Sequence, residues 1–217
     1  MITQFYMTPG SCSTGIHILL EELELPFEVY LVNLLNQDHQ QAAYKEMNPK
    51  GTIPMLIPVD GKPLTDYLSI SWWLARQHPV NKLLPEGIEL EVKALELMSF
   101  AVNEIHGQGF TRVFTPEKYV TGGHNDLELI KSQGQTRVLE AFEVITQVLN
   151  QAGLNKGLLF EHITIADTAL FYVEFWAKHL DYQLPQRLDE HFATMMQRPT
   201  VRQVLAEEGY GHMLNRF

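Results

Sequence analysis

The sequence contains a single cysteine, few cations and no long apolar run. One cysteine among 217 residues excludes an internal disulfide. The 16 Lys and Arg residues against 26 Asp and Glu residues give a net charge of -10, which disfavours non-specific binding to nucleic acid or anionic membranes. No apolar run approaches the roughly 20 residues that span a bilayer, and the first residues lack the basic start and apolar core of a secretory signal. The sequence therefore predicts a soluble, cytoplasmic protein with no nucleic-acid or membrane partner.

Hydrophobic residues make up 45% of the chain, which is ample for a buried core. Short strands at residues 2–6 and 27–32 flank an amphipathic helix, a pattern that predicts a parallel, right-handed βαβ unit. A weakly helical polar segment follows at residues 33–47. Next come a strand after Pro54, a hairpin arm at residues 62–64, and a helix that opens at residues 65–66 and ends near Gln77.

After this helix the β pattern disappears. Proline and glycine punctuate residues 79–87, and everything beyond follows helical periodicity. The helices are predicted at about residues 88–107, 130–149, 165–176, 187–196 and 200–208. We therefore expect an α/β domain over residues 1–79, a linker over residues 80–87 and an all-α domain over residues 88–217.

The only cysteine lies in the turn between the first strand and the first helix, at residues 8–14. Backbone N–H groups at such a turn favour negative charge. Cys12 is therefore interpreted as a thiol with a depressed pKa, as a neighbour of an anionic or thiolate ligand, or as a small buried hydrophobe. Ser13 or Thr14 is expected to cap the helix.

Four segments resemble signatures of the cytosolic glutathione transferases, and within them of the bacterial beta class. They are the turn at residues 9–13, Asn-Pro-Lys-Gly-Thr-Ile-Pro-Met-Leu at residues 48–56, Leu-Thr-Asp at residues 64–66 and Ile-Thr-Ile-Ala-Asp at residues 163–167. They occur in order and at plausible spacing along nearly the whole chain. The resemblance implies a thioredoxin-like domain that binds glutathione, a helical domain that supplies most of the pocket for an apolar second substrate, and a homodimer. Thr164 and Asp167 are expected to form a structural capping box.

The resemblance also implies a set of glutathione-binding residues. Asp66 would receive the γ-glutamyl ammonium, although without the family it is read as a helix cap. A cis bond between Ile53 and Pro54 would turn the backbone of Ile53 toward the cysteinyl part. Tyr67 stands where the family commonly has serine, so its ring must swing away or partly fill the pocket. The full set is Cys12, Asn36, Thr52, Ile53, Pro54, Asp66, Tyr67 and His106, with Asn36 near the position where beta-class members often carry a lysine.

The catalytic candidates follow from the same resemblance. Cys12 would lie near the glutathione sulfur, where it stabilises the thiolate or forms a mixed disulfide, and Ser11 or Ser13 could take the same role. His106 would reach toward glutathione, its other interpretation being a favourable charge at a helix end. Ser99 is expected to contact glutathione in the partner subunit, and Met7, Phe110 and Phe114 to line the electrophile pocket, with plain core packing as the alternative for the phenylalanines. Tyr6 is expected to face away.

The predicted activity is conjugation of the glutathione thiolate to small apolar electrophiles, with no metal. Two alternatives stay open at this point. One is a glutathione-dependent thiol–disulfide reductase or peroxidase that uses Cys12. The other is a non-catalytic binding protein that has kept the fold.

Overall fold

The computed structural model describes residues 2–120, 126–154 and 157–215. Its sheet has three strands in the order β2-β1-β3, namely β1 (Thr3–Met7), β2 (Phe27–Leu31) and β3 (Met55–Ile57). Strand β1 runs parallel to β2 and antiparallel to β3, so Phe5 lies opposite Val29 on one side and Leu56 on the other. The predicted parallel βαβ unit is confirmed.

The predicted hairpin arm at residues 62–64 pairs back as expected, since Leu64 and Leu56 exchange two backbone hydrogen bonds, but it does not form a strand. In the part of the chain that the structure describes, this segment pairs with the sheet only through an isolated bridge between Leu64 and Leu56. Pro63 explains the difference, because proline lacks the N–H that a ladder requires.

Nine α-helices are present in the described ranges. They are α1 (Ser13–Glu22), α2 (Ala42–Met47), α3 (Tyr67–Gln77), α4 (Ile88–Phe100), α5 (Thr111–Phe114), α6 (Leu127–Gln151), α7 (Ile165–His179), α8 (Gln186–Met196) and α9 (Pro199–Glu207). The helices predicted after residue 125 are confirmed to within a few residues. No helix in the described ranges is both long and apolar enough to cross a membrane.

The helix predicted over residues 88–107 does not end at Gly107. Helix α4 continues into a π-helix, Ala101–Phe110, and then into α5. Glycine weakens a helix interior without necessarily ending it. At the nearby Gly109, a Cβ would lie 2.6 Å from the Cγ2 of Val138 on α6, so glycine permits the two helices to approach.

The sheet separates two apolar clusters. Phe5 and Met7 belong to the main core, which also takes in residues of the later helices such as Phe110 and Tyr172. Tyr6 packs on the opposite face beside Tyr44, because neighbouring strand residues point to opposite faces. The structure thus confirms that Tyr6 faces away from the main core. All strands found in the described ranges precede residue 58, and the main core spans both parts of the chain, so the boundary at residues 80–87 stays a prediction.

The predicted capping box at the start of α7 is confirmed. The backbone N–H of Thr164 donates to Oδ2 of Asp167 at 2.8 Å, and the hydroxyl of Thr164 donates to the same oxygen at 2.6 Å. The other oxygen of Asp167 accepts the N–H of Leu159 at 2.7 Å. Asp167 is fully buried, so these bonds replace its lost hydration.

Candidate active site

The turn between β1 and α1 is held by residues from the far end of the chain. Gly10 has a φ of +69°, and a Cβ there would lie 2.1 Å from the hydroxyl oxygen of Tyr210, so only glycine fits. The indole N–H of Trp176 on α7 donates to the carbonyl of Gly10 at 2.7 Å. The backbone conformation of this turn therefore depends on a residue that follows Gly10 by 166 positions in the chain.

The buried carboxylate of Glu208 also fixes this turn through hydrogen bonds. Oε2 of Glu208 accepts the N–H of Gly10 at 2.7 Å and the hydroxyl of Thr14 at 2.6 Å. Oε1 of Glu208 lies 2.9 Å from Nδ1 of His17. Glu208 thereby ties the first residues of α1 and the preceding turn to the end of α9. The expected capping of α1 by Ser13 or Thr14 is wrong, since the hydroxyl of Thr14 donates to Glu208 and the hydroxyl of Ser13 has no hydrogen-bond partner among the described residues.

Cys12 is almost fully buried and immediately precedes α1. Its thiol donates to the carbonyl of Ile53 with an Sγ–O distance of 3.8 Å. Burial raises the pKa of Cys12 to about 12, although hydrogen bonds from the backbone N–H groups of Cys12 and Ser13 act in the opposite direction. The first interpretation of the turn, a depressed thiol pKa, is therefore wrong. Cys12 is a neutral hydrogen-bond donor at neutral pH.

The two neighbouring serines differ in the hydrogen bonds that their hydroxyls make. The hydroxyl of Ser11 donates to the carbonyl of Thr8 at 2.6 Å, and its oxygen accepts the N–H of Ser13 at 3.1 Å. The side chain of Ser13 is fully buried, and its hydroxyl has no hydrogen-bond partner among the described residues. The hydroxyl proton of Ser11 is therefore engaged within the turn, whereas the hydroxyl of Ser13 is a buried donor that is not engaged by another described residue.

The loop before β3 closes against this turn. The Ile53–Pro54 peptide bond is cis, as predicted. The carbonyl of Thr52 accepts hydrogen bonds from the hydroxyl of Tyr44 and from Nδ2 of Asn48, both at 2.7 Å. These two bonds fix the loop at Thr52, and the carbonyl of the next residue, Ile53, accepts the thiol of Cys12.

Asp66 precedes α3 without capping it. The carboxylate is 54% exposed, forms no side-chain cap bond and lies 3.8 Å from the ammonium of Lys50. The peptide bond that precedes Asp66 is also cis. The simple interpretation as a helix cap is therefore wrong. An exposed carboxylate and the N-terminus of α3 lie next to each other, which suits a ligand that carries both an ammonium and a carboxylate.

Tyr67 points away from this edge into the protein. Its hydroxyl lies 3.1 Å from the hydroxyl of Thr168 on α7, and its ring packs 5.2 Å from that of Tyr172. At Gly15 a Cβ would lie 2.3 Å from the Tyr67 hydroxyl, so α1 leaves room for the ring. Of the two expected outcomes, the ring has swung away, and burial raises the pKa of its phenol well above the usual range.

His106 lies in the π-helix and not at a helix end, so its interpretation as a charge near a helix C-terminus is wrong. Its Nδ1 lies 3.2 Å from the hydroxyl of Tyr172, and its ring meets that of Trp176 edge-on at 4.9 Å. Burial lowers the pKa of His106 to about 4, so the imidazole is neutral at physiological pH. His106 thus packs against Tyr172 and Trp176 on α7, and Trp176 donates the hydrogen bond to Gly10.

The residues expected to line the electrophile pocket differ in exposure. Met7 and Phe110 are buried in the main core, which for Phe110 is the alternative interpretation. Phe114 stacks on Phe110 at 5.5 Å between ring centroids and is 48% exposed. Only Phe114 of the three therefore offers apolar surface to a second substrate. The hydroxyl of Ser99 accepts a hydrogen bond from Nδ2 of Asn103 at 3.0 Å.

The expected stand-in for a lysine, Asn36, is exposed and its N–H donates to the side chain of Asn33 at 3.1 Å. A lysine does occur near the site, but at Lys50, within the proline-containing segment itself. Sequence reasoning missed Lys50, although its position in the Asn-Pro-Lys-Gly signature is a usable signal. It also missed Trp176 and Glu208, and nothing in the local sequence marks those two residues as partners of a turn near the N-terminus.

The sequence resembles glutathione S-transferases over nearly its full length. Residues 10–77 match a family model described as the glutathione S-transferase N-terminal domain. Glutathione S-transferase GstA of Escherichia coli O157:H7 is 31% identical over 95% of this chain and 98% of that protein.

The structure resembles solved structures of the same family. The beta-class glutathione S-transferase of Sphingomonas chungbukensis superposes with a TM-score of 0.78 at 25% identity, covering 95% of this chain and 99% of that one. A glutathione transferase homologue from Sulfitobacter, solved with bound glutathione, gives 0.83 at 20% identity over 95% and 98% of the two chains, which supports the fold alone. The predicted fold class, a thioredoxin-like domain followed by an all-helical one, is confirmed. The full-length sequence match shows that this chain belongs to the glutathione S-transferase family.

Proposed function

We propose that this protein is a glutathione transferase that conjugates the glutathione thiolate to small apolar electrophiles. The observation that carries the proposal is the Asp66 edge, where an exposed, uncapped carboxylate stands beside the N-terminus of α3. The γ-glutamyl group has an ammonium and a carboxylate on one carbon. Asp66 receives the ammonium, and the backbone N–H groups that open α3 receive the carboxylate.

The cysteinyl part of glutathione then lies along the Ile53 backbone. The carbonyl of Ile53, which accepts the thiol of Cys12 in this structure, accepts the cysteinyl N–H of the ligand. Cys12 is released to donate its S–H to the glutathione sulfur. Lys50 and the neighbouring Thr52 loop complete the polar side of the binding site.

Chemistry at this site follows from a neutral Cys12 and the N-terminus of α1. The S–H of Cys12 and the backbone N–H groups there stabilise the glutathione thiolate, which attacks the electrophilic carbon as the leaving group departs. His106 is neutral and acts through hydrogen bonding and packing. Phe114 supplies exposed apolar surface for the electrophile.

The raised pKa of Cys12 favours conjugation over disulfide exchange, because exchange requires a cysteine thiolate as nucleophile. Cys12→Ala is therefore expected to lower the conjugating activity without abolishing it. Loss of one weak donor costs about 1 kcal/mol, or roughly a fivefold lower kcat/KM. The measurement is thioether formation from glutathione and an aryl halide, with Cys12→Ser as the variant that restores a donor. Complete loss of conjugation in Cys12→Ala would support the thiol–disulfide alternative.

We also propose that the chain acts as a cytoplasmic homodimer in detoxification, with residues 1–79 and 88–217 as its two domains. Supporting the dimer, Ile88, Leu90 and Val92 leave apolar surface exposed on α4, the helix that also carries Ser99, the expected contact with the partner's glutathione. Sedimentation equilibrium distinguishes a dimer from a monomer.

A further inference from the structure

Helices α1 and α9 bring one histidine and two glutamates together away from the glutathione edge. His17 and Glu21 are one turn apart on α1, and Glu207 is the last residue of α9. One ligand atom from each of the three side chains lies within 4.8 Å of the other two. No metal is expected from the sequence, because Glu207 lies at the opposite end of the chain from the other two.

The distance between the ligand atoms of His17 and Glu207 matches that between two ligands of one metal ion. Nε2 of His17 lies 3.4 Å from Oε2 of Glu207. Two tetrahedral ligands at the usual zinc distance of about 2.1 Å lie about 3.4 Å from each other. The pair therefore has the spacing of ligands that flank one ion.

A second layer of hydrogen bonds orients all three side chains. Nδ1 of His17 lies 2.9 Å from Oε1 of Glu208, so in the tautomer that carries its proton on Nδ1 the ring donates to Glu208 and Nε2 is left as the ligand atom beside Glu207. Nε2 of Gln203 donates to Oε2 of Glu21 at 3.1 Å and to Oε1 of Glu207 at 2.9 Å, so one oxygen of each carboxylate is left for a ligand. Carboxylate-to-histidine bonds of this kind are typical of metal sites.

The charge of the cluster points to a cation. Three carboxylates, from Glu21, Glu207 and Glu208, surround one imidazole. His17 is the only basic side chain in the ion pairs found for these carboxylates within the described ranges. His17 is 3% exposed, whereas Glu207 is about half exposed and opens the cluster to solvent.

We propose that His17, Glu21 and Glu207 form a binding site for a first-row divalent transition metal ion such as Zn²⁺, with water completing the coordination. One imidazole and two carboxylates suit such ions. The bound metal joins α1 to α9. Because it occupies Nε2 of His17, the ring proton stays on Nδ1 and is donated to Glu208, which accepts hydrogen bonds from Gly10 and Thr14. The role is structural, and it does not rest on the transferase function.

The test is calorimetric titration of Zn²⁺ into the full-length, untagged protein after removal of metals with a chelator and dialysis. Glutathione is left out because it binds zinc itself. The expected result is one ion per chain, and an affinity at least tenfold weaker in the double variant E21Q/E207Q. Both substitutions keep an oxygen that accepts from Gln203, and both residues are at least partly exposed, so the variant is expected to fold.

His162→Gln is the matched control, because His162 lies 3.9 Å from Glu161 in an exposed pair of the same chemistry. This variant is expected to bind zinc like the unmodified protein. Zinc should also raise the Tm of the unmodified protein and leave that of E21Q/E207Q unchanged. The proposal is overturned if the unmodified protein takes up no zinc, if E21Q/E207Q binds with the same affinity, or if His162→Gln abolishes binding.

Discussion

At Cys12 the loss of solvent outweighs the hydrogen bonds that favour a thiolate. Two backbone N–H groups approach the sulfur, yet the pKa rises from 9.0 to about 12. A position before a helix does not by itself make a reactive cysteine, because burial penalises the charged form more strongly than these donors stabilise it. The residue that looks most reactive in the sequence is therefore a neutral donor.

Alkylation of the free protein measures this directly. A rise of three pKa units makes the thiolate fraction of Cys12 about 1000-fold smaller than that of an exposed cysteine at pH 7.5. Iodoacetamide should label native Cys12 at least 100-fold more slowly than free cysteine, and at the ordinary rate in guanidinium chloride. Equal rates for the folded protein and free cysteine would contradict the assignment.

Glu208, the residue that follows α9, connects this helix to the turn that carries Cys12. Glu208 accepts from Gly10 and Thr14, and also bonds to His17, so it joins the turn and α1 to the C-terminal helices. Removing a buried carboxylate leaves these partners without an acceptor.

Glu208→Ala should lower the free energy of unfolding by about 3 kcal/mol and weaken glutathione binding, because the turn loses its anchor. Chemical denaturation in the presence of a chelator measures the first effect and calorimetry the second. Glu207→Ala is the neighbouring control and should change stability little when no metal is present. A Glu208→Ala variant as stable as that control would show that the three bonds contribute nothing.

Helices α7 and α8 are joined by a buried histidine between two carboxylates. Nδ1 of His191 lies 2.8 Å from Glu174, and its Nε2 lies 3.3 Å from Asp167. Burial lowers the pKa of His191, but the two carboxylates outweigh it and raise the pKa to about 9. The folded-state pKa lies above the unfolded value of about 6.5, so this stabilisation is full below pH 6.5 and is lost as the pH rises toward 9.

The free energy of unfolding should therefore fall by about 3 kcal/mol between pH 6.5 and pH 9.5. Urea denaturation at a series of pH values measures this slope. His162→Gln, which alters an exposed histidine, should keep the slope, whereas His191→Gln should flatten it. A stability that is constant over this range in the unmodified protein would exclude a charged His191.

At the scale of the whole molecule, the site forms where the two parts of the chain meet. The turn comes from β1 and α1, but its conformation is fixed by Trp176, Glu208 and Tyr210. The main core likewise contains residues from both parts. A change in the C-terminal helices can therefore alter glutathione binding without touching the ligand.

Local patterns in the sequence predicted much of this arrangement. Helical and strand periodicity placed most elements, and the Ile53–Pro54 signature placed the cis bond. Contacts between distant residues could not be read in the same way, which is why the Glu208 anchor was not predicted and two positions of the Tyr67 ring stayed open. The burial of Cys12 depends on helices that follow it in the chain, so its pKa also lay beyond local sequence reasoning.

The most direct test of the proposed function is calorimetric titration of glutathione into the unmodified protein and into Asp66→Asn. Loss of a charge-assisted bond to the γ-glutamyl ammonium is worth about 1.5–3 kcal/mol, so the affinity should fall about 10- to 100-fold. Asp60→Asn, which alters another exposed aspartate, should bind glutathione like the unmodified protein. Saturable binding with this loss in Asp66→Asn is the predicted result. The absence of heat at millimolar glutathione, or equal affinity in Asp66→Asn, would contradict the account.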